Sequence, residues 1–199
     1  MQKAFDFLSS KDPILKNVID THGHPKIQFR DQGFAAMVHI ILEQQVSIAS
    51  ARATYKKLFD HLIEITPENV LNTPDEAMRG CGISRQKTLY IKDMAQKVVS
   101  GELDFAALAN KAEAEIRAEL LAIKGVGHWT IDVYLMFCLQ SPDIIPFGDI
   151  AIRNAIKELY GLETLEEMAA LAEDWKPFRT FASYILWHDY LCKRGRTIS

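Results

Sequence analysis

Gly125-Val126-Gly127 sits between two apolar helical stretches, and no other feature constrains the chain as much. Upstream, residues 112–123 carry helical apolar spacing; downstream, residues 129–139 are apolar enough to be buried. Two helices joined by so short a segment must turn in a tight hairpin. Both glycines let the backbone take positive φ and come close to another molecule. The amides of the hairpin and of the next helix's first turn have no intrahelical acceptors, so they can bind a phosphate. Beyond the second helix, Pro146-Phe147-Gly148-Asp149 ends on a lone carboxylate where another helix begins.

The rest of the pattern is helical almost throughout. Residues 34–42 and 46–62 have the apolar spacing of packed helices. Thr66-Pro67-Glu68 and Thr73-Pro74-Asp75 each read as a helix start, with Thr as cap, Pro at the first helical position and an acid at the positive end. Ser84 opens a helix running to Val99 and closed by Ser100-Gly101; residues 104–109 form another. Asp149 starts a helix ending near Tyr160-Gly161, Thr164 and Glu167 form a capping box, and residues 178–191 make a last, aromatic-rich helix. No alternating strand pattern, repeat, linker or low-complexity tract interrupts this, so the expected fold is all-α.

A chain of 199 residues suits one domain or two interleaved lobes, and 48% hydrophobic with 25% charged residues is ordinary for a globular protein. No apolar run is long enough to span a bilayer, and the N-terminus lacks a signal peptide's apolar region. A cytoplasmic monomer is expected, nucleoid-associated in a bacterial host. Cys81, Cys138 and Cys192 are spaced for neither a disulfide framework nor a metal cluster, and His22-Gly23-His24 reads as a polar turn. A formal net charge of −3 argues against nucleic acid on its face. The charge is uneven, however: after Trp175, Lys176, Arg179, Lys193, Arg194 and Arg196 face a single acid, Asp189.

Four segments in order resemble one family. Ile41-Leu42-Glu43-Gln44-Gln45-Val46-Ser47, Gly125-Val126-Gly127-His128-Trp129-Thr130, Phe147-Gly148-Asp149, and Trp175-Lys176-Pro177-Phe178-Arg179 with Trp187 are similar to motifs of the helix-hairpin-helix (HhH-GPD) DNA glycosylases. The 3-methyladenine DNA glycosylase II branch, which acts on alkylated bases, is the nearest. The resemblance implies two lobes: residues 31–141 as a helical barrel with the hairpin, and residues 1–30 with 142–199 as the other, the active site lying in the cleft. It also implies the core without the N-terminal β domain that some members carry.

The resemblance further implies duplex DNA with damaged bases as partner, no cofactor, and a division of roles. Lys124, Gly125, Val126, Gly127 and His128 would grip the backbone. Leu121, Ile123 and Val126 would offer carbonyls to a monovalent cation. Gln44 and Gln45 would fill the gap left by an extruded nucleotide, against the alternative that they brace the helix junction. Asp149 would be the catalytic carboxylate, a role compatible with capping a helix. Trp129, Trp187 and Tyr134 would line the base pocket, with Val133 where the family has an aromatic. Relatives that also cut the strand carry a lysine where this chain has Trp129, so a monofunctional enzyme is expected. Glu43 reads as pocket acid or surface charge, and Arg153 as a partner of Asp149 or of a phosphate. The alternatives are a non-catalytic DNA-binding protein or a glycosylase for hypoxanthine, oxidised or mismatched bases.

Overall fold

The computed structural model describes residues 1–196. Within them the regular elements are all helices. In chain order these are α1 (Gln2–Lys11), α2 (Pro13–His22), α3 (Phe34–Glu43), α4 (Ile48–Leu62), α5 (Pro67–Asn72) and α6 (Asp75–Gly80). They continue with α7 (Arg85–Val99), α8 (Phe105–Leu108), α9 (Glu113–Leu121) and α10 (His128–Phe137). Last come α11 (Ile150–Tyr160), α12 (Leu165–Glu173) and α13 (Arg179–Cys192). No helix among the described residues is long and apolar enough to cross a membrane.

The chain divides into two compact units, Arg30–Tyr134 and a second built from Met1–Phe29 with the chain from Leu135 onward. The division falls inside α10 rather than after residue 141. Its last turn explains this: the Tyr184 hydroxyl donates to the Met136 carbonyl at 3.0 Å, and the Phe137 ring lies 5.2 Å from that of Tyr184.

In the Arg30–Tyr134 unit, α7 packs on α3, α5 and α6, and α3 packs on α4. Met37, Ile41, Leu58, Ile91 and Met94 are sealed from solvent at the centre of these contacts. Helix starts follow the local chemistry. Thr66, Ser84 and Asp104 accept amide hydrogen bonds at the starts of α5, α7 and α8. Val46 stays outside α4, which Ser47 caps. Thr73 departs from expectation: its hydroxyl donates back to the Asn69 carbonyl at 2.6 Å, closing α5, and α6 starts from Pro74 with no side-chain cap.

In the other unit, α2 and α11 pack on α13 around Leu8, Leu15, Ile152, Ile156, Trp175 and Leu186. Asp12 ties this core together. One carboxylate oxygen caps α2 through the amides of Ile14 (2.9 Å) and Leu15 (3.1 Å). The other accepts from the Tyr160 hydroxyl at 2.7 Å and the fully buried Trp175 indole at 2.9 Å. Burial and the neighbouring Asp12 carboxylate push the Tyr160 hydroxyl far above its ordinary pKa. At the end of α11, Gly161 adopts φ +69° and stops the helix as its sequence position suggests.

Removing the Asp12 carboxylate strands one buried donor, one partly buried donor and a helix cap. We expect Asp12→Ala to cost roughly 3–5 kcal/mol, seen as a lower midpoint in thermal or urea unfolding. Asp12→Asn, which keeps an acceptor, is expected to cost less.

Candidate nucleic-acid interface and catalytic carboxylate

The hairpin between α9 and α10 is built against α7. Lys87, Tyr90 and Asp93 follow one another at three-residue spacing, so they share a side of that helix. The Asp93 carboxylate accepts from the Lys124 amide at 3.3 Å and pairs with the Lys124 ammonium at 3.0 Å. The Tyr90 ring packs against Gly125. A Cβ there would come 2.0 Å from the ring, and Gly125 also holds φ +75°. Only glycine meets both conditions. Gly127 differs from expectation: it is not in the left-handed region, and a Cβ there would meet only open space.

The hairpin amides divide into bonded and open. Those of Lys124 and Val126 donate to Asp93 and to the Ile123 carbonyl. Among the described residues, none accepts from the amides of Gly125, Gly127 or His128. Open amides leading into the first turn of α10 are groups that could receive an anion. Lys124, already paired to Asp93, brings less free charge than its sequence position suggests. Among the described residues, none donates to the Leu121 or Val126 carbonyls, and the Ile123 carbonyl receives one bond. Neutral oxygen donors of this kind fit a monovalent cation, and Leu121, Ile123 and Val126 would hold it.

The turn from α3 into α4 is fixed from two sides. The Gln44 side-chain amide donates to the Gly125 carbonyl and to Thr130 Oγ1, both at 2.9 Å, tying the turn to the hairpin. From α7, the Lys87 ammonium donates to the carbonyls of Leu42 and Gln44, both at 2.8 Å. Gln45 sits at φ +57° and is exposed, as is Val46. The two glutamines therefore part company: Gln44 braces the junction, and Gln45 faces outward. Glu43 is neither a free acid nor a lone surface charge, since Arg30 holds both its oxygens at 2.6 and 3.0 Å.

Asp149 is half-buried and caps α11, its Oδ1 accepting from the amides of Ala151 (2.8 Å) and Ile152 (3.3 Å). Its own amide donates to the Pro146 carbonyl at 2.8 Å, so backbone and side chain are both located. Trp187, partly exposed, lies 5.8 Å from Phe137 and 6.3 Å from Tyr184, ring centre to ring centre and tilted by about 30° to each. Trp129 is half-buried in the first turn of α10. Tyr134 is a correction: it is wholly buried, its hydroxyl accepts from the Gly33 amide at 3.0 Å, and its ring packs on Phe105. It fills a core and offers no open face.

The C-terminal cations are largely paired as well. Arg179 makes a two-toothed bond to Asp143, Lys176 pairs with Glu173, Lys193 with Asp189, and Arg194 with Glu158. His22 lies 3.4 Å from the buried Asp189, an acid its sequence neighbourhood does not reveal. Among the described residues no group of three or more His, Cys, Asp or Glu is placed to hold a metal, and the three cysteines are free thiols.

Residues 38–178 match the family model of the HhH-GPD superfamily base excision DNA repair proteins. The chain belongs to this superfamily. It is 28% identical over 197 residues to DNA-3-methyladenine glycosylase 1 of Schizosaccharomyces pombe, covering 94% of this chain and 86% of that one. The structure of the S. pombe 3-methyladenine DNA glycosylase in complex with abasic DNA superposes with a TM-score of 0.85 at 27% identity, over 93% of this chain and 95% of that one. A DNA-3-methyladenine glycosidase from Bacillus halodurans gives 0.79 at 29% identity, over 96% and 90%.

Lys87, Tyr90 and Asp93 were not legible as site residues. Their three-residue spacing on α7 was the only signal, and a solvated helix face has the same spacing. The two glycines separate stability from binding. Gly125→Ala forces Tyr90 aside and strains φ, so it is expected to lower both the unfolding midpoint and DNA affinity. Gly127→Ala is expected to leave the midpoint within about 2 °C while weakening affinity for duplex DNA, read by fluorescence anisotropy.

Proposed function

We propose that the protein is a monofunctional DNA glycosylase that hydrolyses the N-glycosidic bond of alkylated purines of the 3-methyladenine type. The observation that carries this reading is the likeness, along almost the whole chain, to 3-methyladenine glycosylases, one of them bound to abasic DNA. Asp149, anchored at the start of α11, is the carboxylate assigned to this chemistry.

The chemistry follows from charge. Alkylation at a purine ring nitrogen leaves the base cationic, so it departs with the bonding electrons as a neutral molecule and needs no acid. Positive charge then spreads over C1′ and the ring oxygen of the sugar. The Asp149 carboxylate stabilises that charge and orients the water whose oxygen bonds to C1′ and whose proton is released. The open amides of Gly127 and His128 hold a backbone phosphate, and Gln45 enters the space the extruded nucleotide vacates. Trp187 and Trp129 are assigned to the base, because an electron-poor cationic ring is drawn to an indole face. Strand cleavage through a Schiff base needs an amine at position 129, where this chain has Trp; the nearby Lys124 is paired with Asp93.

Asn caps a helix as well as Asp does, so Asp149→Asn is expected to fold normally. Its single-turnover release of 7-methylguanine from duplex DNA should fall about 100- to 1,000-fold, while affinity for abasic-analogue DNA persists. Near-normal release would remove Asp149 from the chemistry. Borohydride added during turnover is expected to trap no covalent protein–DNA species on a denaturing gel. An adduct would establish an amine nucleophile and refute the hydrolytic reading.

A further inference from the structure

The Lys87 ammonium lies against the last turn of α3, where the carbonyls of Leu42 and Gln44 both accept from it. A cation is well placed there, since the final carbonyls of a helix have no intrahelical donors and carry the negative end of its dipole. Lys87 is only partly exposed, and burial lowers its pKa. A groove of about 420 Å³ opens beside it, lined by Gln44, Gln45, Ser50, Gln86, Tyr90 and Gly125 among others. One residue beyond the bound carbonyls, Gln45 takes φ +57°, a conformation that a non-glycine residue holds only when its surroundings impose it. Lys87 and the Gln44 side chain are the groups that fix this turn, one from α7 and the other from the hairpin.

We propose that Lys87 is a positioning residue for base extrusion, its ammonium clamping the Leu42 and Gln44 carbonyls so that Gln45 is presented outward, ready to enter the duplex. The inference rests on the glycosylase reading given above. In this role Lys87 acts through the main chain, by its bonds to the Leu42 and Gln44 carbonyls, and not through the reacting sugar. Its loss should therefore slow extrusion and leave the bond-breaking step intact.

The test compares wild type, Lys87→Met, Lys87→Arg, Gln45→Ala and the double variant Gln45→Ala/Lys87→Met. Each is assayed for single-turnover release of 7-methylguanine placed opposite cytosine or opposite an abasic gap. Opposite cytosine, Lys87→Met is expected to lose about 10-fold, because a misplaced group forfeits much of its effect. Opposite the gap, where extrusion costs little, the loss should shrink to within about 2-fold. Lys87→Arg, which can still donate to both carbonyls, should restore most of the rate. The double variant should be no worse than the poorer single variant, because the two residues act through one step.

Equal losses on both substrates, or additive losses in the double variant, would overturn the assignment. So would a Lys87→Met protein that circular dichroism finds unfolded, since the residue would then serve the whole fold. A wild-type protein inactive on every alkylated duplex would overturn the glycosylase reading, and this inference with it. An active wild type with an unimpaired Gln45→Ala would overturn the wedge and this inference with it, leaving Asp149 and the glycosylase reading untouched.

Discussion

One side of α7 holds both irregular segments of the candidate site in the Arg30–Tyr134 unit, the hairpin and the turn from α3 into α4. Asp93 fixes the start of the hairpin by its amide, Tyr90 occupies the space that Gly125 leaves, and Lys87 closes the end of α3. Gln44 then links the two loops directly. Ile91 and Met94, each one turn beyond Lys87 and Tyr90, anchor the same helix in the core. A rigid, half-buried helix thus holds two segments whose own backbones are irregular. A binding site built on loops works only when its support is rigid.

What was legible in the sequence was local. Capping reads from three or four adjacent residues, so Thr66, Ser84, Asp104, Asp149 and the Thr164–Glu167 box all appear where their types and spacing place them. Thr73 fails for a local reason as well: its side chain turns back to donate to the carbonyl four residues before it, closing α5, and accepts from none of the amides that start α6. What was not legible joins distant segments. Lys87 meets carbonyls 43 and 45 residues away, and Asp12 meets Trp175 across 163 residues. No pattern of spacing carries such pairs. Tyr134 was misjudged because an aromatic on an apolar helix face reads the same whether it fills a core or borders a cavity.

A protein with formal net charge −3 that works on a polyanion has to concentrate its attraction. Its C-terminal lysines and arginines do not supply that attraction, since most are spent on neighbouring carboxylates. In the proposed reading the hairpin does, through open amides that carry partial positive charge at fixed positions. Such groups need no counterion and lose no side-chain entropy when a phosphate arrives, so they set register more than they raise overall affinity. Weak long-range attraction suits a protein that must test many undamaged bases and leave them.

The same economy of charge applies to the reaction. An alkylated purine already carries the positive charge that an acid catalyst would otherwise have to deliver. In the proposed mechanism the protein then has only to stabilise charge at the sugar, a task assigned to a single carboxylate held at a helix start. Capping removes most of Asp149's rotational freedom before DNA binds, so little reorganisation remains at the moment of bond breaking. In this reading discrimination comes before the chemistry, in the cost of extruding the base. Undamaged nucleotides pay that cost in full and gain nothing on an indole face, whereas a cationic base recovers part of it. A turn that presents Gln45 in one fixed shape therefore matters as much to substrate choice as the residues that touch the base.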